Sequence, residues 1–242
     1  MLARTTVRLA AAAAAGGSND ALNVLLFLGS TRAGIPPPTT PGGAGVRVGA
    51  WCADELRARG HTVTVVNPID TALPLLQKPH FAYRKGGAPE VLEGLAEQIR
   101  DADAYVMVTP EYNHSPSPAL LNTLNHFGSS LFSFKPASIV SYSGGQWGGT
   151  RAATLLRPVL GELGALPVSA MVHVPHAPKV FNEDGSVNVA EGEDVARWRD
   201  YGARSWSQLE WWGTAARRHR EVVDPTKDSP PFATDPTQRN AP

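Results

Sequence analysis

An excess of charge of either sign is missing from this sequence: its 242 residues carry 22 basic and 22 acidic side chains. Such a balance offers no basic stripe for a phosphate backbone, so no nucleic-acid partner is expected. Cysteine is nearly absent. Cys52 is the single one, which excludes an internal disulfide and every multi-cysteine metal site and fits a reducing compartment. Long hydrophobic runs are lacking too, since the longest, Leu9 to Ala15, is far too short to cross a bilayer. The chain also has no GxxxxGK followed by Ser or Thr, no HExxH and no GxSxG. Nucleotide hydrolysis, zinc hydrolysis and esterase chemistry therefore lack their usual signatures. What is present, 42% hydrophobic and 18% charged residues, matches a soluble globular protein large enough for one α/β domain with extensions.

The two ends differ from the middle. Residues 1–20 are alanine-rich, carry Arg4 and Arg8, and hold no acidic residue before Asp20. They read either as an organelle transit segment or as a leader of no consequence. Residues 223–242 are rich in Pro, Asp, Thr and Ser and read as a disordered tail, which leaves 21–222 as the domain. Within it, strand-like runs alternate with helix-like ones, the signature of a parallel sheet covered by helices. Five strands are expected, near Leu22–Leu28, His61–Val66, Ala104–Thr109, Ala137–Ser141 and Val168–Val174. Between them fall a Pro/Gly-rich loop from Gly34 to Gly45, a helix placing Val48, Trp51, Cys52 and Leu56 inward, and a long loop from Pro68 to Ala88. Helices follow near Pro89–Ala102, Pro118–Phe127, Gly149–Leu163 and Asp194–Arg218. The third of these is expected to bury Leu155, Leu156, Val159, Leu160 and Leu163, and the last to pack through Trp198, Trp206, Leu209 and Trp212.

Three loops carry chemistry. Ser30, Thr31 and Arg32 follow Gly29 at the end of the first strand, where hydroxyls, amides and a guanidinium can bind phosphate or simply form a turn. Pro110, Glu111, Tyr112 and Asn113 follow the third strand, held against a helix start at Ser117-Pro118. They can line the polar edge and the face of a ring, or merely pack and turn. Ser143, Gly144 and Gly145 open a segment with four glycines in seven residues, Ser143 to Gly149, whose entropic cost implies a need for bare backbone. Trp147 is an odd choice for a plain linker there. All three loops sit at carboxyl ends of strands one, three and four. In a flavodoxin-like sheet of order 2-1-3-4-5 those ends are neighbours and can share one ligand, whereas in a 3-2-1-4-5 order they cannot.

These segments, Gly29 to Arg32, Thr109 to Pro118 and Ser141 to Gly149, resemble the NADPH-dependent FMN reductase family, which includes quinone, azo and chromate reductases. The likeness covers about Leu22 to Val174 and implies a flavodoxin-like α/β fold. It implies that Ser30, Thr31 and Arg32 grip the FMN phosphate, and that Pro110 to Asn113 with Ser143 to Gly145 line the flavin. The Pro-rich stretch after Arg32 departs from the family's shorter turn. The resemblance further implies an NADPH or NADH donor, a small acceptor such as a quinone, azo compound or metal oxyanion, and a homodimer or homotetramer. No catalytic side chain and no metal are expected, because the cofactor carries the chemistry. The rival readings are a flavodoxin-type electron carrier and a flavin-binding scaffold. Flavodoxins are acidic, so zero formal net charge favours the enzyme. His114 and His126 read as surface or capping residues, while His173 and His176 lie near the fifth strand. A cytoplasmic location is expected, or a mitochondrion or chloroplast if residues 1–20 are a transit segment.

Overall fold

The computed structural model describes residues 21–32 and 43–225. The leader 1–20, most of the Pro/Gly-rich loop and tail residues 226–242 lie outside the described residues. The strands are β1 (Asn23–Leu28), β2 (Thr62–Val66), β3 (Ala104–Tyr112), β4 (Ser115–Pro116), β5 (Pro136–Tyr142), β6 (Leu166–Pro167) and β7 (Val172–Val174). The α-helices are α1 (Ala44–Ala58), α2 (Pro68–Thr71), α3 (Glu90–Asp101), α4 (Pro118–Asn125), α5 (Ser129–Phe132), α6 (Thr150–Glu162), α7 (Ala177–Val180) and α8 (Val195–Arg220).

The sheet runs β2-β1-β3-β5-β6, with β7 also on β5 and β4 on β3. This is the flavodoxin-like order, with the switch point between β1 and β3. It has seven strands where five were expected, for two local reasons. Beyond Pro110, β3 continues to Tyr112 and turns back antiparallel on β4, pairing Glu111 with Pro116 and Tyr112 with Ser115. The last strand is split. Between its halves, the Ala170 amide donates to Gln208 Oε1 at 2.9 Å and the Ser205 hydroxyl donates to the Ala170 carbonyl at 2.9 Å, so α8 takes backbone groups a ladder would use.

Strand alternation divides the core into two layers. Val24, Leu26, Val106 and Val108 face α1 and α8, whereas Leu25, Phe27, Tyr105 and Met107 face α3, α4 and α6. In the first layer Trp51 of α1 stacks on Phe181 at 5.0 Å and meets Trp206 of α8 at 6.0 Å. Cys52 is fully buried there, and burial pushes its thiol well up, which leaves it inert packing. Two inward assignments need correction. Leu155 is 49% exposed because α6 turns Ala152, Ala153, Leu156 and Leu160 inward and leaves its neighbour on the outer flank. Trp212 is 46% exposed, while Trp198, Trp206 and Leu209 are buried. The long loop after β2 is partly structured, with α2 and a short 3-10 turn at His80–Ala82, and Asn122 of α4 ties it down through Leu76 and Pro74. Among the described residues no helix is long and apolar enough to cross a membrane.

Candidate functional site

At the carboxyl end of β1 the Ser30 hydroxyl is bonded to the Tyr112 hydroxyl at 3.0 Å and accepts the Arg32 amide at 3.1 Å. The Arg32 guanidinium lies over the Tyr112 ring at 4.2 Å, a cation–π contact. The first and second predicted segments are thus joined side chain to side chain. Thr31 and Arg32 are exposed. The start of α1 comes alongside: a Cβ on Gly45 would lie 3.5 Å from Ser30 Cβ and would overlap the Tyr142 hydroxyl, so only glycine permits this approach. Among the described residues no side chain caps α1, whose first turn lies beside Ser30 at Gly45. Burial pushes the Tyr142 phenol up, with nearby Tyr112 adding to the shift, so Tyr142 stays neutral.

The second segment is a strand end and a tight turn. Asn113 and His114 hold φ values of 50° and 65°, as a two-residue I′ hairpin turn requires. Both are exposed. Glu111 points the other way: its carboxylate accepts Arg151 Nε at 2.7 Å and the Arg151 amide at 3.1 Å, at the first turn of α6. Burial pushes this carboxyl up, but the Arg151 guanidinium and the amides of Ala152 and Arg151 outweigh it and hold it below the usual carboxylate range. Toward a ligand Glu111 therefore offers backbone only. It serves to lock the second segment to the third.

In the third segment the four glycines divide into two classes. Gly148 and Gly149 have φ of 61° and 79°, and a Cβ on Gly149 would come within 2.9 Å of the Tyr142 amide nitrogen. The fold itself requires glycine there. Gly144 and Gly145 do not have positive φ, and a Cβ on either would meet no atom of the described residues within 4 Å. Protein packing gives no reason for glycine at these two, so they form a strip of bare backbone open to a flat ligand. The loop is firmly based: the Ser143 amide donates to Val174 at 3.1 Å, its hydroxyl to the Gly145 carbonyl at 2.9 Å, and the His176 amide to the same carbonyl at 3.1 Å.

Beneath it, the Ser141 hydroxyl donates to the Gly148 carbonyl at 2.8 Å and therefore accepts from His173 Nδ1, also at 2.8 Å. That fixes His173 as the Nδ1–H tautomer, and burial pushes its imidazole down, toward the neutral form. His126 is not at the surface. It is buried at the end of α4, with Nε2 donating to the Pro74 carbonyl at 3.0 Å.

The structure brings all three segments to one end of the sheet, as the order β1-β3-β5 demands. Sequence reasoning missed Arg151, and gave Ser141 and Tyr142, inside the third resembling segment, no role of their own. Arg151 left a signal, because a cation in the first turn of a helix opposes the helix dipole unless a carboxylate accompanies it. Two cavities of about 780 and 560 Å³ lie elsewhere, along α8 at the amino ends of the strands, and include none of these residues. Among the described residues no cluster of three or more metal-ligating side chains forms.

Residues 22–179, well over half of the chain, match the NADPH-dependent FMN reductase family. The chain belongs to that family. It is 34% identical over 119 residues to the NAD(P)H-dependent FMN reductase of Pseudomonas aeruginosa, covering 48% of this chain and 63% of that protein. It is 42% identical over 83 residues to the quinone reductase of Escherichia coli, covering 33% and 44% respectively. These matches span about half the length of such curated relatives. Among solved structures, the flavoenzyme NAD(P)H:(acceptor) oxidoreductase of Paracoccus denitrificans superposes with a TM-score of 0.62 at 20% identity, over 79% of this chain and 97% of that one, which supports the fold.

Proposed function

We propose that this FMN reductase family member is an FMN-dependent NAD(P)H oxidoreductase that passes reducing equivalents to a small acceptor such as a quinone, azo compound or metal oxyanion. The observation that carries the reading is the Gly144–Gly145 strip, two glycines with open space above them in a loop otherwise fixed by hydrogen bonds. The residues fit FMN. Ser30, Thr31 and Arg32, beside the start of α1, suit one terminal phosphate. Pro110, Glu111, Tyr112 and Asn113, together with Ser143 to Gly145, suit the ring.

Bound FMN supplies the hydride chemistry between nicotinamide and acceptor. The chain's own residues position it. Glu111 and Arg151 brace the second segment against α6, and Ser141 with His173 holds the Gly148 carbonyl. No side chain needs to move a proton. Such preorganisation matters because small errors in setting reacting atoms cost large factors in rate.

We further infer a homodimer or homotetramer, with Trp211, 71% exposed, and Trp212 at the contact, and a cytoplasmic location, which the single buried cysteine favours. Denaturing protein purified without added cofactor and chromatographing the supernatant tests the cofactor. FMN is expected, and FAD, or no flavin even after reconstitution, would contradict the reading.

A further inference from the structure

We propose that the Trp147 indole is the stacking platform for the electron acceptor and selects fused-ring quinones over single-ring quinones and non-aromatic oxidants; this rests on the flavin reading above. Trp147 is 62% exposed, in contrast to Trp206, which is fully buried in the core. Its exposure does not come from a loose chain. The Trp147 carbonyl accepts both the amide of Thr150, at 3.2 Å, and the Thr150 hydroxyl, at 2.7 Å. Gly148 follows it in a left-handed conformation, packed so closely on Val174 and Pro175 that an added Cβ would sit 3.1 Å from their nitrogens.

The indole is also placed relative to the flavin-lining residues. The Arg151 guanidinium lies 5.8 Å from the Trp147 ring centre, and Arg151 is bonded to Glu111. Trp147 follows Gly145 by two residues, and through Arg151 it reaches the Pro110–Asn113 segment. It therefore stands at the junction of the two segments assigned to the ring. A guanidinium has five N–H donors, and Glu111 engages those on Nε and Nη2. Donors remain for a carbonyl oxygen of a ligand stacked on the indole. A rigid aromatic face beside a fixed cation suits a planar, electron-poor ligand with oxygen at its edge. A second fused ring extends the contact that a single ring makes only in part.

The test uses FMN-loaded protein and the variants Trp147→Ala and Trp147→Phe. Since the side chain is exposed, neither should disturb folding. Three readouts are compared: FMN content, the rate at which NADPH bleaches the flavin under argon, and steady-state kcat and KM with menadione, duroquinone and ferricyanide. Trp147→Ala should raise KM for menadione about two- to twelvefold, the factor equivalent to about 0.5–1.5 kcal/mol of aromatic stacking. Duroquinone should shift less and ferricyanide not at all, with FMN content and bleaching rate unchanged. Trp147→Phe should restore most of the menadione KM. An unchanged menadione KM, or an equal shift for all three acceptors, overturns the proposal. So does slowed bleaching by NADPH, which would assign the indole to the nicotinamide. If the unsubstituted protein takes up no FMN, the flavin reading itself fails, and that is seen before any variant is compared.

Discussion

Substituting alanine at Gly145 and at Gly149 should have opposite effects, although the two glycines lie four residues apart in one loop. At Gly145 an added Cβ meets no atom of the described residues within 4 Å and the backbone is not left-handed, so the cofactor-free protein should accept it. Its unfolding free energy should change by no more than about 1 kcal/mol, on the stabilising side, because alanine restricts the unfolded chain. The same methyl group would stand where the flavin approaches. Crowding of that kind costs about 1–3 kcal/mol, which is roughly a five- to 160-fold loss of FMN affinity. At Gly149, φ is 79° and the Cβ would press on Tyr142 and Ser141 at 2.9 Å. Left-handed strain of about 1–2 kcal/mol adds to overpacking of about 1–3 kcal/mol, and the cofactor-free protein itself should be destabilised. Urea unfolding of the cofactor-free proteins and FMN titration by fluorescence quenching measure both quantities. Wild-type FMN affinity in Gly145→Ala would rule out a flavin seated over this backbone. Cofactor-free Gly145→Ala as unstable as Gly149→Ala would rule out a strip that packing leaves open.

Arg32→Ala should weaken FMN binding about ten- to 150-fold, the equivalent of about 1.5–3 kcal/mol for a charged hydrogen bond to phosphate, while the rate of flavin reduction at saturating FMN stays near wild type in stopped flow. Burial pushes the Glu210 carboxyl up, but Arg59 and His61 outweigh it and pull it down to about 2, below its ordinary 4.5. The stability from this cluster should thus be complete above about pH 4.5 and be lost as pH falls toward 2, and Glu210→Gln should remove that part of the acid dependence of the urea midpoint. Light scattering at micromolar concentration should give a mass well above the 25.7 kDa monomer, and Trp211→Asp should lower it.

Much of the architecture was legible because it follows from periodicity. The continuous apolar run of β1 and the three- and four-residue spacing of the inward Leu92, Leu95, Ala96 and Ile99 of α3 mark buried strand and half-buried helix wherever they occur. The shared position of the three loops was legible because the strand order alone decides which carboxyl ends adjoin. Other features depended on partners far away in the chain. The last strand breaks because Gln208 and Ser205, more than thirty residues on, capture Ala170. The β3–β4 hairpin was hidden because Asn113-His114 lacks the glycine that usually marks an I′ turn. The role of Glu111 was hidden because its partner Arg151 is forty residues away. Among the glycines of the third loop, composition could count four, but only the space around each separates those the fold needs from those left open.

Whether this chain takes hydride from a nicotinamide nucleotide onto bound FMN is decided by anaerobic stopped-flow mixing of the FMN-loaded protein with NADPH or NADH. Full bleaching of the oxidised flavin absorbance is expected with at least one of the two nucleotides, followed by recovery when a quinone is added. A bound flavin that neither nucleotide bleaches would contradict it and would leave an electron carrier or a flavin-binding scaffold in its place.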